Sequence, residues 1–126
     1  MSRDPDNFLL FVYGTLMRGG CNHGALAGQR FLRDAVTRPK YLLLNLGDYP
    51  GLVLAQNDGR AIHGELYEVE RRLIADLDRI EGAPELYRLE LVEIKDEDDR
   101  IYAYIYCGAT GSLPIVGGDH WSNPPR

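Results

Sequence analysis

No apolar run in this sequence approaches the roughly 20 residues that a membrane helix needs. Its first residues, Met1 to Asn7, are polar and acidic, unlike the basic-then-apolar start of a signal peptide, so a cytoplasmic protein with no membrane partner is expected. Cysteine is scarce. Cys21 and Cys107 lie far apart, and a cytoplasmic chain keeps such thiols reduced. With only His23, His63 and His120 beside them, there is no paired short-range spacing for a metal site. Positive charge is also short. Fourteen Lys and Arg against 19 Asp and Glu leave a net charge of −5 and no basic cluster, which argues against nucleic acid as the main partner.

Nucleotide and nucleophile signatures are missing too. Gly14 to Gly20 supplies neither the lysine nor the following hydroxyl residue of a phosphate-binding loop, and the dinucleotide fingerprint is absent. No serine sits in a Gly-x-Ser-x-Gly elbow. No cofactor and no metal are therefore expected, and small neutral or zwitterionic molecules are left as ligands.

What is present is a chain of 126 residues, the size of a single domain spanning 1–126, long enough to bury roughly two-thirds of its unfolded surface. Eight tyrosines are its one compositional excess. The apolar stretch from Phe8 to Val12, followed by Tyr13-Gly14-Thr15-Leu16, predicts a strand covered on both faces that opens into a Gly-rich loop. At Gly14 the chain can take a positive φ or let a ligand approach the backbone, and the amides that follow can point at an anionic or carbonyl oxygen. A plain tight turn is the alternative.

Farther along, Cys21 to Gly28 reads as a short helical turn capped by Asn22. Strands are expected over Phe31–Val36, Tyr41–Leu44 and Gly51–Ala55, with Pro50-Gly51 at the centre of a type II turn. Asn57-Asp58-Gly59 predicts a hairpin into a strand over Ala61–Val69, whose His63 and Glu65 share a face expected to be solvated. Leu73, Ile74, Leu77 and Ile80 form one apolar stripe and predict a helix over Glu70–Ile80, stopped by Gly82 and Pro84. Tyr87–Ile94 and Ile101–Tyr106 predict a second hairpin. Its last strand sets Tyr102, Tyr104 and Tyr106 on one face, where phenols need hydrogen-bond partners or a ligand. Trp121 is expected to anchor a loop-like tail.

Glu81 is the candidate acid/base. It follows the helix at the end that carries partial negative charge, where a carboxylate is disfavoured and its pKa tends upward, more so with burial. Such a carboxylate suits proton transfer with an amine. The plain alternative is an exposed residue before a helix stop.

The succession Tyr13-Gly14-Thr15-Leu16 with Gly19 and Asn22-His23, then Tyr49-Pro50-Gly51, His63-Gly64-Glu65-Leu66-Tyr67, Leu77-Asp78-Arg79-Ile80-Glu81-Gly82 and Tyr87-Arg88 resembles the gamma-glutamylcyclotransferase superfamily. The ending Asn123-Pro124-Pro125-Arg126 is similar to its AIG2-like, gamma-glutamylamine cyclotransferase branch. The resemblance implies an α+β fold, a small mixed β-barrel with a few flanking helices, and release of 5-oxoproline from gamma-glutamyl compounds. By the same resemblance Glu81 is the catalytic acid/base, and Tyr13, Gly14, Thr15, Leu16, Tyr49, Pro50, Gly51, Tyr87 and Tyr106 hold a small-molecule gamma-glutamyl substrate. A monomer or weak homodimer is expected. A non-catalytic binding or stress-response module on the same barrel is the alternative, and assembly through the tyrosine face is a third.

Overall fold

The computed structural model describes residues 5–123, so Pro124 to Arg126 of the ending lie outside the described residues. The fold is α+β. Its axis is the first strand, β1 (Asn7–Val12), which pairs antiparallel with β5 (His63–Glu70) and parallel with β7 (Ile101–Tyr106). The unbroken apolar run of β1 follows from there being a core on each side of it. Leu9 and Phe11 pack with Leu43, Leu52, Leu66 and Ile94, while Phe8, Leu10 and Val12 pack with Tyr67, Leu77, Tyr87 and Tyr104. Each fully buried Leu or Phe contributes about 2 kcal/mol, so both faces of β1 hold the sheet in register.

The remaining strands are β2 (Arg30–Val36), β3 (Tyr41–Asn45), β4 (Pro50–Leu54) and β6 (Tyr87–Val92). The seven form one mixed sheet in the order β2-β5-β1-β7-β4-β3, with β6 also on β7. The expected barrel is only partly realised. The β2 and β6 sides meet through a single bridge, Thr37 to Ile94, flanked by Arg38 N–H to Glu93 O at 3.0 Å and Lys95 N–H to Val36 O at 2.9 Å, not through a closed ladder.

Two turn signals misplace their strands. Asp58 does take a left-handed φ of 53°, but β4 pairs with β3 and β7 while β5 pairs with β1 and β2, so no hairpin joins β4 to β5. Pro50 and Gly51 begin β4; the turn before them is carried by Gly47 at φ 103°. The helix is shorter than its stripe suggests. Arg71–Leu73 is a 3₁₀ turn, and α1 runs from Ile74 to Glu81, ending on Gly82 in the left-handed region at φ 65°. Of the stripe, Leu77 is fully buried and Ile80 stays 42% exposed. Trp121 does pack against the first core. Among the described residues no helix is long and apolar enough to cross a membrane.

Candidate active site

Where β1 ends, the chain turns twice on itself. Met17 N–H bonds Gly14 O at 3.0 Å and Gly20 N–H bonds Met17 O at 2.8 Å, while Thr15 O accepts from Asn22 N–H at 3.0 Å. Leu16 O lies 2.9 Å from His23 Nδ1, and Gly14 O also accepts from the Asn123 side chain at 3.2 Å. The carbonyls from Gly14 to Met17 are thus all engaged. The N–H groups of Thr15 and Leu16 have no acceptor among the described residues. Unpaired backbone donors next to engaged carbonyls are the features of an anion-binding turn.

Residues Tyr13 to Leu16 wall a cavity of about 240 Å³ with Cys21 and Asn22, Asp48 to Pro50 of the β3–β4 turn, Ile80 and Glu81 at the end of α1, Leu86, and Tyr87 and Tyr104 of the last hairpin. Gly14 does not adopt a positive φ. Its missing Cβ makes room for the Pro50 ring, which a Cβ there would meet at 2.7 Å. Asn22 precedes the 3₁₀ turn His23–Leu26 without capping it; its amide instead donates to Thr15 Oγ1 at 3.0 Å.

The tyrosines form the rigid part of the wall. Tyr13 donates to Tyr104 O at 2.5 Å and accepts from Leu52 N–H at 3.1 Å, and Tyr87 donates to Pro50 O at 2.6 Å. Burial first, then neighbouring negative groups including Glu81, pushes both phenols far above their ordinary range, so they remain neutral. Tyr49 leans toward Tyr87 with ring centroids 6.5 Å apart and stays 38% exposed at the rim.

Glu81 is half-buried and its carboxyl makes no hydrogen bond or ion pair among the described residues. Burial raises its pKa from 4.5 to about 7, so desolvation and not the helix end is the cause. Near neutrality it can exist in either protonation state, which is what a proton shuttle requires. No Arg, Lys or His side chain lines the cavity among the described residues. Nor, among them, does any group of three or more His, Cys, Asp or Glu converge to hold a metal ion.

The structure therefore gathers Tyr13, Gly14, Thr15, Leu16, Tyr49, Pro50, Glu81 and Tyr87 around one space and leaves out two of the expected residues. Gly51 stands behind it, its Cα pressed so close to Tyr106 that a Cβ would meet that ring's Cβ at 2.8 Å. Tyr106 packs edge-on against Tyr87 at 5.6 Å and donates to Ala109 O at 3.1 Å. The tyrosine of β7 that reaches the cavity is Tyr104, whose hydroxyl donates to Asp78 Oδ1 at 2.7 Å. Alternation puts both on one face, so only the register with β1 and β4 could have chosen between them. The face carrying Glu65 also differs from expectation. His63 is exposed, but Glu65, Tyr67 and Val69 are buried. Cys21 and Cys107 are free thiols.

Residues 10–123 match the family model described as gamma-glutamyl cyclotransferase, AIG2-like. A Vibrio cholerae protein provisionally named a gamma-glutamylcyclotransferase is 41% identical over 96 residues, covering 76% of this chain and 81% of that protein. The human gamma-glutamylaminecyclotransferase is 35% identical over 99 residues, covering 73% of this chain and 65% of that protein. The crystal structure of a mouse AIG2-like protein superposes with a TM-score of 0.79 at 23% identity, over 92% of this chain and 88% of that one, a likeness of fold.

Proposed function

Since the chain belongs to the gamma-glutamyl cyclotransferase, AIG2-like family, we propose that its cavity converts a gamma-glutamyl amine or gamma-glutamyl amino acid to 5-oxoproline and the free amine. The observation that carries this reading is the pairing of parts across one small space: a carboxyl with a pKa near 7 on one wall and unengaged loop amides on another.

The chemistry asks for little else. The substrate's α-amine is largely protonated near neutral pH and has no lone pair to react until a base removes that proton. Ionised Glu81 accepts it. The freed amine attacks the gamma-carbonyl carbon, forming the C–N bond of a five-membered ring and a tetrahedral oxyanion. Collapse of that intermediate breaks the bond to the leaving nitrogen as protonated Glu81 returns the proton to it, and the second proton of the ring nitrogen passes through Glu81 to the departing amine, which leaves as an ammonium. Ring closure is intramolecular and is governed by orientation. The amides of Thr15 and Leu16 supply it by gripping the α-carboxylate or the developing oxyanion, while Tyr13 and Tyr87, committed to backbone partners, shape the wall.

The test is release of 5-oxoproline from a panel of gamma-glutamyl amines and dipeptides by wild type and Glu81→Gln. Losing a general acid/base should lower the rate by about a hundredfold or more. In wild type kcat/KM should rise with pH through about 7, because the base must be ionised. Wild-type turnover by Glu81→Gln would overturn the mechanism, and a chain inactive on the whole panel would favour a non-catalytic binding module.

A further inference from the structure

Glu65 lies outside the cavity and has no part in the chemistry above, yet it is a carboxylate only 8% exposed near the start of β5. An ionised group withdrawn from water this far needs strong partners. It has three. Oε1 accepts from the backbone N–H of Arg18 at 3.0 Å and from the Tyr67 hydroxyl at 3.0 Å, and Oε2 accepts from Arg18 Nε at 3.0 Å. The guanidinium is held on its other sides by Asp34 at 3.1 Å and by the face of Phe31, 4.3 Å from the ring centroid.

Two of the three bonds therefore end on Arg18, two residues beyond Leu16. The backbone of this residue continues the turn that carries the unengaged Thr15 and Leu16 amides. Strand β5 is locked against β1 from Asn7–Glu70 to Val12–Glu65, so Glu65 projects from a fixed frame at the rung where β1 ends. A charged hydrogen bond to a main-chain N–H fixes the peptide plane itself, which a side-chain contact alone does not.

We infer that Glu65 is a positioning residue that sets the aim of the Thr15 and Leu16 amides by holding the Arg18 backbone. The inference rests on the reading of that loop as the substrate grip. Its consequence is a division of labour in which Glu65 governs how well substrate is held and Glu81 governs proton transfer.

The experiment compares wild type, Glu65→Gln and Glu65→Asp on gamma-glutamylethylamide, and follows the backbone amide resonances of the loop by NMR. Glutamine keeps the shape but opposes an NH₂ group to Arg18 Nε; aspartate keeps the charge but withdraws the oxygens by one methylene. Loss of one charge-assisted bond predicts a KM raised about tenfold for Glu65→Gln. Its kcat should stay within about threefold, and the rise of kcat/KM with pH near 7 should not move, because Glu81 is untouched. Thr15 and Leu16 resonances should shift although neither residue touches Glu65. A folded Glu65→Gln with wild-type KM and unshifted Thr15 and Leu16 signals overturns the inference, as does a fall in kcat at constant KM. Should Glu65→Gln fail to fold, Glu65→Asp decides by the same two readouts. A wild type inactive on this amide and on the wider panel defeats the proposed function instead, and unshifted loop signals in the folded variant would then defeat the positioning role on their own.

Discussion

A buried carboxyl has two consequences that pull apart with pH, and Glu81 allows both to be read. Its folded pKa of about 7 exceeds the unfolded 4.5. Between those values the folded state keeps a proton that the unfolded state has released, so the group's contribution to stability is fully present below about pH 4.5 and is lost as pH rises through 7. The charged form that the proposed mechanism needs is thus the one that folding disfavours. Relative to wild type, Glu81→Gln should gain about 1–2 kcal/mol on going from about pH 4 to about pH 8, after discounting for partial solvation. Thermal melts of the pair should show a Tm difference that grows by roughly 5 °C over that range. A constant difference would mean that Glu81 is not desolvated. Glu81 was legible in the sequence because a helix stripe and a following glycine mark its place; Glu65 was not, because period-two alternation cannot tell a solvated strand face from one covered by the loop that Arg18 brings over it.

Elements deliver these residues, and the least local contacts matter most. Helix α1 is only Ile74–Glu81 and is anchored by Leu77 below and by Tyr104 at its end, where the phenol of β7 donates to Asp78, one turn before Glu81. Tyr104→Phe removes that link without opening a cavity. It should cost about 1 kcal/mol in stability and lower kcat several-fold more than it changes KM, since the loop proposed to hold substrate keeps its bonds while the proposed base loses its brace. Urea unfolding and steady-state kinetics on the same variant check both, and a fall confined to KM would contradict this role. All seven strands and the hairpin of β6 with β7 are legible in the sequence, but the partners of β4 and β5 are not. Turn residues such as Asn57-Asp58-Gly59 report only local chain reversal, whereas the partners of β4 and β5 are chosen by burial of Leu52 and Leu66 in a core shared with β1. The choice of Tyr104 over Tyr106 depends on the same non-local register.

For the molecule as a whole, the distribution of charge around the cavity limits what can leave it. Its lining includes the carboxyls of Asp48 and Glu81 and, among the described residues, no cationic side chain. A substrate's own α-carboxylate can be met by the loop amides, but a gamma-glutamyl α-amino acid brings a second carboxylate next to the bond being broken. There it would lose water close to Glu81 with no positive partner. One uncompensated repulsion of this kind, at partly solvated range, is worth about 1–2 kcal/mol, or roughly tenfold in rate. Gamma-glutamylethylamide should therefore exceed gamma-glutamylalanine in kcat/KM by about that factor at pH 8, and by the same factor below pH 7, because both substrates react only with enzyme whose Glu81 is ionised. Asp48 is exposed, so its share is screened by salt, and Asp48→Asn should relax the preference only a few-fold. Equal turnover of the two substrates at pH 8 would show that the leaving group departs through a part of the wall that neither carboxyl controls.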